Sequence, residues 1–148
     1  MLSERERSFL ATRRIGHLAT ADSRAFPHVV PACFAIADRT LYITVDEKPK
    51  RAAGAPLKRV RNIEQNPSVA FVADRYEDDW SLLGWVMLRG SAEILTGGTE
   101  HDEAQALLRS RYPQLNAMEI ARLAVIAVRI ERVTSWGNLS GDANTEPA

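Results

Sequence analysis

Apolar and polar residues alternate in short blocks along most of the chain, and turn-forming residues close each block. Ser3 with Glu6 three residues later has the form of a capping box, which predicts a short helix ending near Arg14. "IGHLATAD" alternates as a strand, and "DSRAF" reads as its turn. "PHVVPACFAIA", rich in β-branched and aromatic residues, predicts a second strand, which "ADRT" turns into a third, "LYITVD". The three read as consecutive antiparallel strands, a β-meander. Pro31 has no N–H to give to a ladder, so its strand belongs at a sheet edge or a bulge.

Alternation stops at "EKPKRAAGAPL", a connection carrying two prolines and a glycine. Leu57, Val60 and Ile63 then recur at three-residue spacing, the apolar stripe of a short helix that Asn66-Pro67 ends. "SVAFVADR" and "LLGWVMLRGSAEIL" predict two further strands, joined by the acidic "YEDDW". After Gly97-Gly98, "TEHDEAQALLRSRY" predicts a helix with Thr99 as its cap and Asp102 in the box position. "AVIAVRIERVTSW" alternates again, with Ile126, Val128 and Ile130 on one face. The pattern thus predicts a mainly β chain of six antiparallel strands, a small β-barrel with a few flanking helices. Residues 1–138 are expected to form one domain, and the polar stretch 139–148 a loose tail.

Composition narrows the class. The 148 residues are 45% hydrophobic and 26% charged, as in an ordinary soluble domain. No apolar run approaches the ~20 residues that cross a bilayer, and "MLSERERSFLATRR" lacks the apolar core of a signal peptide, so a cytoplasmic location is expected. The single cysteine, Cys33, allows no internal disulfide and reads as a small buried hydrophobe. With 19 Lys+Arg against 19 Asp+Glu, neither nucleic acid nor a membrane surface is an expected partner.

Charge is nonetheless concentrated in one place. Residues 48–61 carry Lys48, Lys50, Arg51, Lys58, Arg59 and Arg61 and no acid. One reading is an anion site, with lysines as point charges, arginines forking onto phosphate oxygens, and a helix N-terminus adding N–H donors. A solvated charged face satisfies the same pattern. No aromatic residue falls between Tyr42 and Phe71, which argues against a nucleic-acid groove. His17, His28 and His101 are isolated from one another and from any ligand-spaced cysteine or carboxylate, so no metal site is expected. Hydrolase, phosphate-loop and dinucleotide motifs are absent. Trp80, Trp85 and Trp136 read as core or interface anchors, and Trp80, beside Asp78 and Asp79, also as a wall on which a planar ligand could stack.

The order of segments carries a resemblance. "HLATADSRAFPHVVPACFAIADRTLYITVD", the basic "LKRVRNIEQNPSVAFVAD" and "WVMLRGSAEIL" together resemble the pyridoxamine 5′-phosphate oxidase-like split β-barrel superfamily over about residues 9–135. Arg59, Asn62, Ile63, Asn66 and Pro67 match its helix motif, and Gly90 with Ala92 its later strand. "EKPKRAAGAP" and "YEDDW…WVMLRG" are similar to the branch that uses the deazaflavin F420. The resemblance implies a homodimer holding a flavin-type ring in a cleft between subunits, the phosphate end lying on the basic helix. It implies that Arg59 binds phosphate with Lys58, Arg61 and Asn62 as neighbours. Lys48, Lys50 and Arg51 would cover the phosphate or the acidic tail, Thr44 would border the ring, and Val30 and Pro31 would offer it backbone contacts. The C-terminal arginine-containing segment of true pyridoxamine phosphate oxidases has no counterpart in "GNLSGDANTEPA", so vitamin B6 oxidation is not implied.

The implied chemistry is hydride transfer between F420 and a small conjugated substrate. The cofactor supplies the reactive atom and the protein binds, orients and excludes water, so no catalytic side chain is singled out. An FMN-dependent oxidoreductase on the same fold, or a flavin- or haem-binding protein without turnover, are the alternatives. His17 or His28 would be the axial ligand of a haem.

Overall fold

The computed structural model describes residues 1–45 and 57–140. Its chain order is α1 (Glu4–Thr12), β1 (Gly16–Ala21), β2 (Pro27–Ala32), β3 (Ala35–Ala37), β4 (Thr40–Thr44), α2 (Lys58–Gln65), β5 (Ser68–Arg75), β6 (Gly84–Leu95), α3 (Thr99–Arg111) and β7 (Val125–Gly137), with short 3-10 turns at Trp80–Leu82, Pro113–Ala117 and Ile120–Arg122. The strands form one sheet in the order β2-β1-β5-β6-β7-β4-β3. All six pairings are antiparallel.

Among the described residues there are seven strands where six were expected. "PHVVPACFAIA" is not one strand but two, β2 and β3, broken at Cys33-Phe34. Nor is there a meander, because β2 and β4 do not pair. β2 lies on one edge of the sheet and β3 on the other. That arrangement dictates the curl. Seven strands laid flat would separate the edges by about 29 Å. The three Cα steps from Ala32 to Ala35 reach about 11 Å at most, so the sheet has to roll until its edges nearly meet. The corner is pinned by Tyr112, whose hydroxyl lies 3.1 Å from the Phe34 N–H and 3.0 Å from its carbonyl. The Phe34 ring is fully buried and meets Phe71 at a centroid distance of 4.9 Å.

Rolling the sheet creates two apolar layers. The inner one collects Leu18, Phe34, Leu41, Phe71, Leu88, Ile126 and Val128 with Phe9 and Leu10 of α1. Leu57, Val60 and Ile63 join it, so the predicted stripe of α2 does face the core. The outer layer packs Ala104 and Leu108 of α3 on Tyr42, Val125 and Ala127. α1 begins with the expected capping box: Ser3 Oγ accepts from the Glu6 N–H at 3.1 Å, and Glu6 Oε1 from the Ser3 N–H at 2.9 Å. α3 departs from expectation. Its N-cap is Gly98 at φ +99°, with no side-chain cap, and Asp102 instead takes His101 Nδ1 at 3.0 Å. Pro31 lies on an outermost strand, where a missing N–H costs no internal ladder bond. Leu139 is buried against the inner layer, so the polar tail is anchored at its first residue; 141–148 lie outside the described residues.

Candidate functional site

α2 is a short helix whose two sides differ in kind. Val60, Asn62 and Ile63 point inward, Lys58 and Arg59 are half-buried at the flank, and Arg61 is exposed. Its N-cap, Leu57, has no side chain able to accept, and no acid lies in the first turn. The N-terminal turn of α2 therefore brings neither an acid nor a side-chain cap of its own, which suits an anionic ligand. A carboxylate does approach from outside: Lys58 Nζ lies 3.8 Å from Asp22 Oδ2.

Asp22 builds the adjoining turn between β1 and β2. Its Oδ1 accepts the N–H groups of Arg24 at 2.9 Å and Phe26 at 3.1 Å. Those bonds, the Phe26 one foremost, with the Lys58 charge, hold its carboxyl below the usual range. Gln65, at the end of α2, accepts the Ser23 N–H at 3.1 Å. Both ends of α2 are thus tied to one hairpin, and the helix seals that end of the rolled sheet.

The expected site residues divide into groups. Lys58, Arg59 and Arg61 all lie on α2. Lys48, Lys50 and Arg51 lie outside the described residues. Asn62 is 0% exposed, and its Nδ2 donates to Thr20 Oγ1 at 3.0 Å. Thr44 is buried at the outer layer, its hydroxyl accepting from Gln105 Nε2 at 3.0 Å. As placed, neither offers solvent a side-chain surface. Val30 is half-buried against the inner layer opposite Leu18, and Pro31 is exposed opposite His17.

Trp80 is 72% exposed and begins a 3-10 turn that Asp79 caps. It is not a core residue, and it is not beside α2 within one chain. α2 leads directly into Ser68, whereas Trp80 follows the other end of β5, about 17 Å of strand beyond Ala70. Trp136 is also exposed, directly across the ladder from Trp85.

Sequence reading missed the inner partner of α2, Thr20, which stands directly opposite His28 in the β1–β2 register. Strand alternation could have placed them on one face, but nothing in the sequence shows that Asn62 descends onto that face. Among the described residues, no group of three or more His, Cys, Asp and Glu side chains is placed to hold a metal.

The fold recurs in solved structures. An FAD-binding protein from Mesorhizobium loti is 26% identical, with 90% of this chain and 94% of that chain covered at a TM-score of 0.66. A structure described as an F420 reductase is 25% identical, covering 86% and 94% at 0.62. A haem-binding protein from Mycobacterium smegmatis is 21% identical at 0.73, with 93% of this chain but 54% of that chain covered. No curated protein matches the chain. The family model described as pyridoxamine 5′-phosphate oxidase matches residues 2–137, nearly the whole of the rolled sheet and its helices. By that match, the chain belongs to the pyridoxamine 5′-phosphate oxidase family.

Proposed function

We propose that the protein is an F420-dependent oxidoreductase, passing a hydride between the deazaflavin and a small conjugated substrate. The observation that carries this reading is the uncapped, acid-free N-terminal turn of α2 bearing Lys58 and Arg59, with Arg61 one turn away. A phosphate there gains both the guanidinium forks and the N–H groups of the first turn. Lys48, Lys50 and Arg51 raise the cations in this stretch to six, more than one phosphate needs, which favours a ligand whose tail carries further carboxylates. The likeness to an F420 reductase of nearly the same coverage supports the choice. FMN is the second reading, because it shares the ring and the phosphate and a flavin-binding protein is equally similar.

The cofactor supplies the hydride chemistry when bound. The chain's own part is to grip the phosphate end, to shape the cleft and to keep water out. A second copy of the chain completes that cleft. Phe26 and Val29 are 61% and 64% exposed beside and on the outermost strand β2, an apolar edge suited to burial against a partner. Trp80, remote from α2 in its own chain, would then be free to stack on a ligand held by the other copy.

Titration of the purified protein with F420, FMN and haem, followed by absorbance and fluorescence, tests the proposal. Saturable F420 binding with turnover of a conjugated acceptor supports it; preference for FMN moves it to the second reading. Binding of haem alone, with His17 or His28 as ligand, overturns both.

A further inference from the structure

Behind α2 lies a polar cluster whose hydrogen bonding is incomplete. Asn62 Nδ2 donates to Thr20 Oγ1 at 3.0 Å, and Thr20 stands directly opposite His28 in the β1–β2 register. Facing pairs of this kind bring Cβ atoms to about 4.5–5.5 Å, so Thr20 stands between Asn62, which it bonds, and His28, which it faces. Asn62 and Thr20 are buried, while His28 is half-buried on the outermost strand, at the sheet edge. Two atoms there are sealed from solvent and have no hydrogen-bond partner among the described residues: Asn62 Oδ1 and His28 Nδ1.

Such atoms are costly. A buried polar group left unpaired loses about 1–3 kcal/mol, and native interiors carry few of them. Turning the Asn62 amide over does not remove the problem, since one end serves Thr20 and the other still has nothing. A carboxylate or phosphate cannot donate to Asn62 Oδ1, and an apolar group satisfies neither atom. A hydroxyl both donates and accepts, so it can bond Asn62 and His28 at once in either orientation of the amide or imidazole.

We infer that the Thr20–His28–Asn62 cluster seats a hydroxyl of a phosphorylated polyol chain, with the phosphate of that chain on the cationic turn of α2. The inference rests on the proposed cofactor reading, since F420 and FMN both join ring to phosphate through such a chain. Asn62 lies one helical turn beyond Lys58, so phosphate on the first turn brings the neighbouring carbons to the cluster. The cluster thereby distinguishes a polyol-linked ring from a bare one.

The test uses calorimetric titration of wild type, His28→Leu and His28→Gln. The ligands are F420 and FMN, together with the same two rings carrying N-methyl in place of the polyol chain. Thermal melts check that each variant is folded. His28→Leu is expected to weaken the chain-bearing ligand about 3- to 10-fold, the size of one neutral hydrogen bond, and to leave the N-methyl ring unchanged. His28→Gln, which can still pair with a hydroxyl, is expected to stay near wild type. Equal losses for both ligands, or none for either, overturn the inference while the cofactor reading stands. So does a ligand-bound crystal structure in which a water, and no ligand hydroxyl, fills the cluster. Failure of the wild type to bind F420 or FMN at all overturns the cofactor reading and this inference together.

Discussion

Glu100 and Arg129 meet as a two-pronged ion pair, Nη1 to Oε2 at 2.5 Å and Nη2 to Oε1 at 2.9 Å, which fastens the first turn of α3 to β7. Tyr42 adds its hydroxyl to Glu100 Oε2 at 2.6 Å, so β4 joins the same knot. These contacts, Arg129 first and Tyr42 next, pull the Glu100 carboxyl down to about 2. Because the folded value lies below the unfolded one, the contribution is complete above about pH 4.5 and fades as pH falls toward 2. Both side chains are more than a third exposed, which keeps the pair near the ~1 kcal/mol of a good surface bridge. Glu100→Gln is therefore expected to lower stability modestly at pH 7 and hardly at all at pH 2.5, as urea melts at the two values would show.

His101 is expected to give the opposite pH dependence. Its ring is buried, with Nδ1 at 3.0 Å from Asp102 Oδ1 and Nε2 at 2.7 Å from the Leu123 carbonyl. Both partners accept, so only the imidazolium satisfies both, and the pKa is raised, by Asp102 first and by Leu123 next. The stabilisation is complete below the unfolded value near 6.5 and is lost as pH rises through the higher folded value. In His101→Gln the fall in melting temperature between pH 6 and pH 9 should shrink; an unchanged profile would place the titration elsewhere.

Arg75 ties the stretch after β7 to the turn before β6. It is 6% exposed, and its guanidinium donates to the carbonyls of Leu82 at 2.8 Å, Asn138 at 2.9 Å and Ser140 at 2.7 Å. Arg75→Ala would remove the donor from three part-buried carbonyls and is expected to cost about 2–3 kcal/mol in chemical denaturation. Lysine, lacking the fork, should recover little of it.

Gly90 is required by close approach. A Cβ there would come within 2.0 Å of the Arg129 carbonyl, where β6 shifts register against β7. Backbone cannot yield as a flexible side chain can. Gly90→Ala is expected to lose about 2–3 kcal/mol, read as a lower urea midpoint at constant slope.

For the cofactor, Lys58→Ala combined with Arg61→Ala should weaken F420 affinity 10-fold or more, since each charge-assisted bond is worth about 1.5–3 kcal/mol. Unchanged affinity in the folded double variant would move the phosphate away from α2.

Several of these features were legible in the residues alone. Ser3 and Glu6 declare a helix start by type and spacing, and Leu57, Val60 and Ile63 declare which face of α2 is buried. Pro31 marks an outermost strand because its lost N–H excludes it from a ladder interior. The cationic run was visible as well, since charge needs no fold to be counted. Local sequence speaks for local causes: periodicity, capping and dihedral preference act within a few residues.

Tertiary structure decided the rest. Nothing in "ACFA" signals a corner, because Cys33 and Phe34 are no worse as strand residues than their neighbours. The break exists because Phe34 is drawn into the core and caught by Tyr112, 78 residues away. Thr20 and Asn62, 42 residues apart, meet only once the sheet has rolled and α2 has closed its end. Exposure of Trp80 follows the same logic, since an apolar side chain is buried only where other elements arrive to cover it. Contacts between distant segments depend on how the whole chain closes, and no short window of sequence contains that information.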